Sequence, residues 1–353
     1  MRVATAAALA LCGLYVLGGL YFGVVFVYLV TLPPSAYPDG RLLAPEVGGG
    51  STPSNPPGRS GPGGIPLPQL PRLPGSVTDV LPEWEGTERV NILLMGVDQR
   101  DDERAAGVPP RSDTMLVLSI DPVAKRAGLV SFPRDLLVTI PGLGQERINV
   151  AYRYGELAKL PGGGPELAKR TIEQNFGLTV HYYARVDFRG FERIVDTLGG
   201  VLVDVEVPLK DDEYPTEDYG ITRIYIPAGP QVLDGKTALQ YARSRHGDPD
   251  GDFGRMRRQQ RLLLALRDRS FQLDLIPKAP TLIELAQETI STDLSPRQLL
   301  ALARLAQEIE RDDIRTLVLD RDLAVPFKGP GGADYLMPRT AEIRQALQNL
   351  MSS

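Results

Sequence analysis

One cysteine, one tryptophan and two histidines in 353 residues narrow the chemistry open to this chain. The cysteine, Cys12, lies inside an apolar N-terminal run, so neither a disulfide framework nor a thiolate zinc site can be assembled. With only His181 and His246 available, a Ser/His/Asp relay or a histidine-rich metal centre has little to be built from, although one imidazole suffices as an acid or base. Basic charge is also in short supply. Lys and Arg number 39 against 44 Asp and Glu, a net charge of −5. Nucleic-acid backbones demand a basic surface, so no nucleic-acid partner is expected. Any anion site has to be local.

Charge is missing altogether from Val3 to Leu32. Thirty residues at about 1.5 Å each reach roughly 45 Å as a helix, more than the roughly 30 Å of a bilayer's hydrocarbon core. Residues 1–32 are therefore expected to form an uncleaved transmembrane anchor, the apolar run being too long for a signal peptide. The expected orientation leaves the N-terminus in the cytoplasm and the bulk of the chain outside it. Residues 33–82 hold thirteen of the 31 prolines and nine of the 36 glycines. That composition supports neither helix nor sheet and reads as a semi-extended tether.

Beyond the tether the pattern changes at once. VNILLMG (90–96), TMLVLSID (114–121) and RAGLVSFP (126–133) are apolar, β-rich runs bounded by turn residues, the mark of strands buried on both faces. Helical periods follow at 148–157 and 165–177, a strand at 181–187, a helix at 188–200 and a strand at 201–207. The expected fold is a three-layer α/β/α sandwich with a mixed central sheet, preceded by one transmembrane helix. Residues 83–275 are expected to form its main folded domain. Residues 276–353, reading helix, helix, strand, helix, form a C-terminal extension without a chemistry signature. GGG at 162–164 lacks the GK[ST] ending of a phosphate loop and reads as a glycine-rich helix entry.

The conspicuous charge is in DGDFGRMRRQQRLL (250–263). Arg255 and Arg258 in the first turns of a helix oppose its dipole, and Arg257 with Arg261 form a like-charged i, i+4 pair. Arg255, Arg258, Gln259 and Leu262 nevertheless fall on one stripe, which points the first arginines partly toward the protein body. Upstream, YARSR sets Arg243 and Arg245 two apart, on one side of an extended segment. Further pairs stand at the ends of the core strands: Asp98 and Arg100, Arg111 and Asp113, Arg134 and Asp135. Strand ends are where α/β sheets bind ligands. Guanidinium forks grip phosphate oxygens in pairs, and Asp98 with Asp113 offers hard oxygens suited to Mg2+ or Mn2+. Arginines and aspartates in one cleft point to phosphoryl transfer from a diphosphate.

NILLMGVDQR, RSDTMLVLSID, SFPRDLLVTIPG, RINVAY, DTLGGVLVDV, LDGKTALQYARSR and DFGRMRRQQ, spread in order over residues 90–270, make the chain resemble the LytR-CpsA-Psr family of bacterial envelope proteins. The resemblance implies an α/β/α transferase that moves a glycopolymer from a polyprenyl-pyrophosphate carrier onto a peptidoglycan hydroxyl. It implies Mg2+ on Asp98 and Asp113, and Arg100, Arg111, Arg134, Arg243, Arg245 and Arg255 around the pyrophosphate with Gln259 beside them. Arg134, Asp113 and Arg255 are then the catalytic group, and Asp252, at the helix entry, orients Arg255. Arg258 is a secondary candidate, while Arg257 and Arg261 face solvent. An apolar tunnel for the prenyl chain is implied too, with the helices at 148–176 and 188–198 as its expected walls. Two alternatives stay open: a pyrophosphatase acting on the same lipid, and a non-catalytic envelope protein that binds polymer. The stretch between Asp98 and Asp113, long and acidic beside the usual family loop, is expected to be a surface loop.

Overall fold

The computed structural model describes residues 82–99, 101–216, 218–270, 272 and 279–352. The expected anchor at 1–32 and the linker at 33–82, Pro82 aside, lie outside the described residues, as does Arg100. No helix among the described residues is long and apolar enough to cross a membrane.

Strand β1 (Val90–Asp98) is followed by the short helix α1 (Asp101–Ala105), then β2 (Arg111–Asp121), β3 (Arg126–Ser131) and the hairpin β4 (Leu137–Ile140) and β5 (Gly144–Arg147). Helices α2 (Val150–Leu157) and α3 (Gly163–Phe176) lead to β6 (Tyr182–Asp187), α4 (Phe188–Thr197) and β7 (Val201–Val205). Next come β8 (Leu209–Pro215), β9 (Ile221–Ile226), β10 (Gly229–Leu233), α5 (Gly235–Arg243) and α6 (Asp252–Ser270). The C-terminal part holds α7 (Ala279–Thr289), β11 (Ile290–Thr292), α8 (Pro296–Glu308), β12 (Ile314–Val318), the hairpin β13 (Ala324–Lys328) and β14 (Asp334–Pro338), and α9 (Thr340–Ser352).

Six strands form a mixed sheet in the order β11-β6-β1-β2-β3-β12. The strands β1, β2 and β3 run antiparallel in succession, whereas β6 is parallel to β1 and β12 parallel to β3. Register sorts the apolar runs onto two faces: Ile92 and Leu94 stand opposite Leu118 and Leu116, while Leu93 and Met95 stand opposite Val117 and Met115. The first set packs against α4, α5, α6, α7 and α8, through residues such as Val195, Leu262 and Leu302. The second packs against α2, α3 and α9, through Tyr152, Ile172 and Leu347 among others. Burial on both faces is what allowed β1 to be an unbroken hydrophobic run. The strand expected at 201–207 forms as β7 and pairs with β10 in a two-stranded ribbon outside the main sheet.

The boundary expected at 275/276 is not a boundary of the fold. Strand β11 closes one edge of the sheet and β12 the other. The join is also polar: buried Gln260 of α6 donates through Nε2 to Leu129 O at 3.3 Å, Ser131 Oγ at 2.8 Å and Leu317 O at 2.9 Å, tying the helix to β3 and β12 together. Gln260→Ala strands these acceptors and leaves a void, so it lowers unfolding free energy by roughly 2–3 kcal/mol. A urea titration checks this: the midpoint falls while the slope is unchanged.

The glycines at 162–164 serve packing. Gly162 takes a left-handed φ of 77° at the entry to α3. A Cβ on Gly164 would lie 2.3 Å from Tyr152 O, so α2 and α3 approach as closely as they do only with glycine there.

Candidate functional site

The C-terminal end of β1 and the start of β2 are irregular, and the irregularity has a use. Gly96 pairs with Thr114 but Val97 pairs with Ser112, which leaves Asp113 outside the register as a bulge. A bulge re-aims one side chain without disturbing its neighbours. Asp113 here turns to a cavity of about 280 Å³ between the sheet and the helices α4, α5 and α6. The cavity has two zones. Asp98, Asp113, Arg243, Arg245, Arg255 and Gln259 line one, and apolar side chains such as Leu116, Phe191, Leu239, Leu263 and Leu266 line the other.

Each arginine in the polar zone is held by a different device. Arg243, the last residue of α5, donates through Nη2 to Asp98 Oδ2 at 2.6 Å, and its guanidinium lies 4.6 Å from the Phe188 ring centre and 5.7 Å from that of Tyr214. Arg134, just beyond β3, is not itself part of the lining but donates through Nη1 to the lining Asp113 Oδ1 at 3.0 Å. Burial works against its charge, but Asp113, Asp135 and Asp252 outweigh that and its pKa is raised. Arg255, only 4% exposed, reaches Asp113 O at 3.2 Å and ion-pairs with Asp252 Oδ1 at 2.7 Å, while its buried Nε has no hydrogen-bond partner. Asp252 thus orients Arg255, as its place at the helix entry suggests. Arg245 pays the electrostatic price of this company: burial and then the charges of Arg134 and Arg255 lower its pKa, with Asp252 and Asp113 offsetting only part. Arg245 thus carries its charge where burial and two neighbouring guanidiniums disfavour it, and an anion in the cleft would relieve that.

The expected stripe on α6 is real: Arg255, Arg258, Gln259 and Leu262 are all buried. Its members divide, however. Arg258 turns away from the cavity to donate to Ser244 O at 2.6 Å, and Asp248 Oδ2 lies 3.5 Å from it; burial comes first in lowering its pKa. Gln259 lines the cavity but commits its Nε2 to Ala242 O at 3.0 Å. Both satisfy carbonyls around the end of α5 that the helix itself cannot. Arg257 faces outward and pairs with Asp250, as expected. Arg261 is half-buried rather than solvated, held by Tyr241 Oη at 3.0 Å and by Glu206.

Arg111 stands opposite Asp98 at the exposed start of β2, outside the cavity lining. Part of the acidic stretch between Asp98 and Asp113 forms α1, whose Asp102 accepts a hydrogen bond from Tyr219 Oη at 2.6 Å. The helices expected as tunnel walls split. Phe188 and Phe191 of α4 line the cavity, but α2 and α3 cover the opposite face of the sheet and do not. Residues not anticipated from the sequence also line it: Arg185 on β6, hydrogen-bonded to Tyr152 Oη, together with Asp211 and His246. Among the described residues no group of three or more His, Cys, Asp or Glu side chains forms a ready-made metal cage. The carboxylates of Asp98 and Asp113 do suit a hard divalent ion that completes its shell with substrate phosphates and water.

Within a mixed α/β fold, one cavity thus joins a zone lined by arginines and aspartates to an apolar zone. The chain belongs to the LytR_cpsA_psr family, whose model matches residues 74–352 and so runs through the C-terminal strands as well. It is 37% identical over 219 residues to the polyisoprenyl-teichoic acid–peptidoglycan teichoic acid transferase TagU of Oceanobacillus iheyensis, covering 62% of this chain and 63% of that protein. With TagV of Bacillus subtilis, of the same description, it shares 33% identity over 74% of this chain and 63% of the other. The regulatory protein MsrR of Staphylococcus aureus is 34% identical, over 58% of this chain and 57% of MsrR. The matches thus span less than two thirds of these relatives' lengths. The crystal structure of B. subtilis TagV superposes with a TM-score of 0.60 at 29% identity, covering 76% of this chain and 98% of that one.

Proposed function

We propose that this protein is a phosphotransferase that moves a glycopolymer, of teichoic-acid or capsule kind, from a polyprenyl-pyrophosphate carrier onto a peptidoglycan hydroxyl. The observation that carries it is one pocket whose lining joins Arg243, Arg245 and Arg255, the last with an unpartnered buried Nε, to an apolar zone. A pyrophosphate on a prenyl tail answers both zones at once. The descriptions of TagU and TagV as polyisoprenyl-linked teichoic acid transferases support the same reading. On this reading the uncharged N-terminal run anchors the chain in the membrane, with the cleft on the extracytoplasmic side, where peptidoglycan lies.

Arg134, Arg245 and Arg255 bind the pyrophosphate and neutralise the charge that gathers as the acceptor oxygen attacks the phosphorus bearing the sugar and prenyl phosphate departs. Arg243 is steered toward the same group by Asp98 and Phe188. By the family resemblance Arg100 and Arg111 are assigned to pyrophosphate binding as well. Mg2+ on Asp98 and Asp113, or Mn2+ in its stead, supplies Lewis-acid stabilisation of the phosphate oxygens when bound.

The full chain in detergent is incubated with a synthetic prenyl-pyrophosphoryl disaccharide, Mg2+ and a peptidoglycan oligomer, with products followed by mass spectrometry. Prenyl phosphate and a ligated oligomer are expected in equal amounts, and chelation of the metal lowers both at least about a hundredfold. Prenyl phosphate without a ligated product assigns a pyrophosphatase instead, and a folded protein that releases neither is not an enzyme of this kind.

A further inference from the structure

Arg243 and Arg245 hold their places in the cavity mouth although Ser244, between them, already has extended backbone angles (φ −56°, ψ 141°) and the chain beyond it is loop. Something outside this turn has to fix it. Asp211 on β8 is the group that reaches it. Its side chain is 0% exposed, yet it lies against three consecutive residues. Oδ2 accepts from Ser244 Oγ at 2.7 Å, His246 Nδ1 lies 3.5 Å from Oδ1, and the backbone N–H of Arg245 points at the same carboxylate. The backbone N–H of Glu213 donates to Oδ1 at 2.9 Å and holds the carboxylate itself. Burial raises the Asp211 pKa, but the Ser244 hydroxyl, these N–H groups and His246 outweigh burial and leave it lowered, so the anion is the resident form.

A second observation points the same way. Gly247 packs so closely on β8 that a Cβ there would lie 1.6 Å from Lys210 O. The loop is thus pressed onto the Lys210–Asp211 backbone, while Arg258 grips Ser244 O and Gln259 grips Ala242 O from α6. Neither Asp211 nor Ser244 belongs to the arginine and aspartate group that meets the pyrophosphate.

We propose that Asp211 is a positioning residue of the anion site: through Ser244 it sets the 243–246 turn so that Arg243 and Arg245 meet the same bound diphosphate. This rests on the reading of the cleft as a diphosphate site. Orienting two long cationic side chains before the ligand arrives removes an ordering cost that each would otherwise incur on binding.

The test uses the full chain in detergent, inorganic pyrophosphate with Mg2+ as the probe, and calorimetry for Kd, with melting temperatures from the same samples. Asp211→Asn, which keeps the shape and drops the charge, weakens binding about tenfold, and Ser244→Ala about threefold or more. The double variant binds no more weakly than Asp211→Asn, because the hydroxyl acts through the carboxylate. Asp212→Asn, exposed next door, stays within about twofold of the parent. A role in stability alone lowers the melting temperature and leaves Kd of the folded protein unchanged. Parent-like Kd in both folded single variants overturns the proposal while the diphosphate reading stands; failure of the folded parent to bind pyrophosphate removes both.

Discussion

Arg134→Ala lowers kcat/KM for prenyl phosphate release about a hundred- to a thousandfold, and Arg134→Lys recovers little of it. The size follows from where the guanidinium sits. It lies at the end of β3, 3.0 Å from Asp113 and 3.5 Å from Asp135, in a half-buried setting where neighbouring carboxylates hold its charge firmly. An oriented cation in such a place meets developing phosphate charge without reorganising, and loss of a single such group costs about that factor elsewhere. Lysine keeps the charge but not the fork: one nitrogen cannot satisfy Asp113, Asp135 and a phosphate together. Arg257→Ala, on the outward face of α6 beside Asp250, is the control and stays within about twofold of the parent. Steady-state kinetics with the prenyl-pyrophosphoryl disaccharide decide it. An Arg134→Ala protein that folds and turns over within tenfold of the parent removes this arginine from the chemistry.

The contrast between Arg255 and Arg258 shows how far the sequence could be read. Helical spacing put Arg255, Arg258 and Gln259 on one inward stripe, and all three are buried. Spacing says which side of a helix faces in, but not what waits there. For Arg255 it was the cavity; for Arg258 it was Ser244 O, on a loop fourteen residues upstream. The same limit explains the cavity walls. Both α2 and α4 are amphipathic, and amphipathicity does not say which face of the sheet a helix covers, so only α4 turned out to be a wall.

Strands divided in a similar way. The runs of β1, β2 and β3 were legible because burial on both faces writes an unbroken apolar stretch. That β12 pairs parallel to β3, and that β11 closes the far edge, is a matter of strand order, which no local pattern encodes. The hairpin of β8 and β9 was missed because KDDEYP is mostly polar. Only Leu209, Asp211 and Tyr214 of β8 are fully buried, and one of those is the carboxylate that holds the arginine turn.

Leu263→Trp separates the two zones of the pocket. Leu263 lines the apolar part of the cavity from α6 and is only partly buried, so a larger side chain there extends into the void rather than forcing the core apart. The cavity measures about 280 Å³, and an indole in place of an isobutyl group takes a substantial share of it. A long prenyl chain then loses the burial on which its binding depends, at about 25 cal/mol for each square ångström of apolar surface left in water. Loss of about 60–100 Å² corresponds to a ten- to seventyfold rise in KM for the long-chain substrate. A substrate with one or two isoprene units never fills that space, and its KM and kcat stay within about threefold of the parent. The arginines and Asp113 are untouched, so kcat at saturation is kept for both. The decisive quantity is the ratio of kcat/KM between long and short chains, measured side by side in parent and variant. An unchanged ratio in a folded Leu263→Trp protein means that the prenyl chain lies elsewhere and that the apolar zone is packing space, not a lipid site.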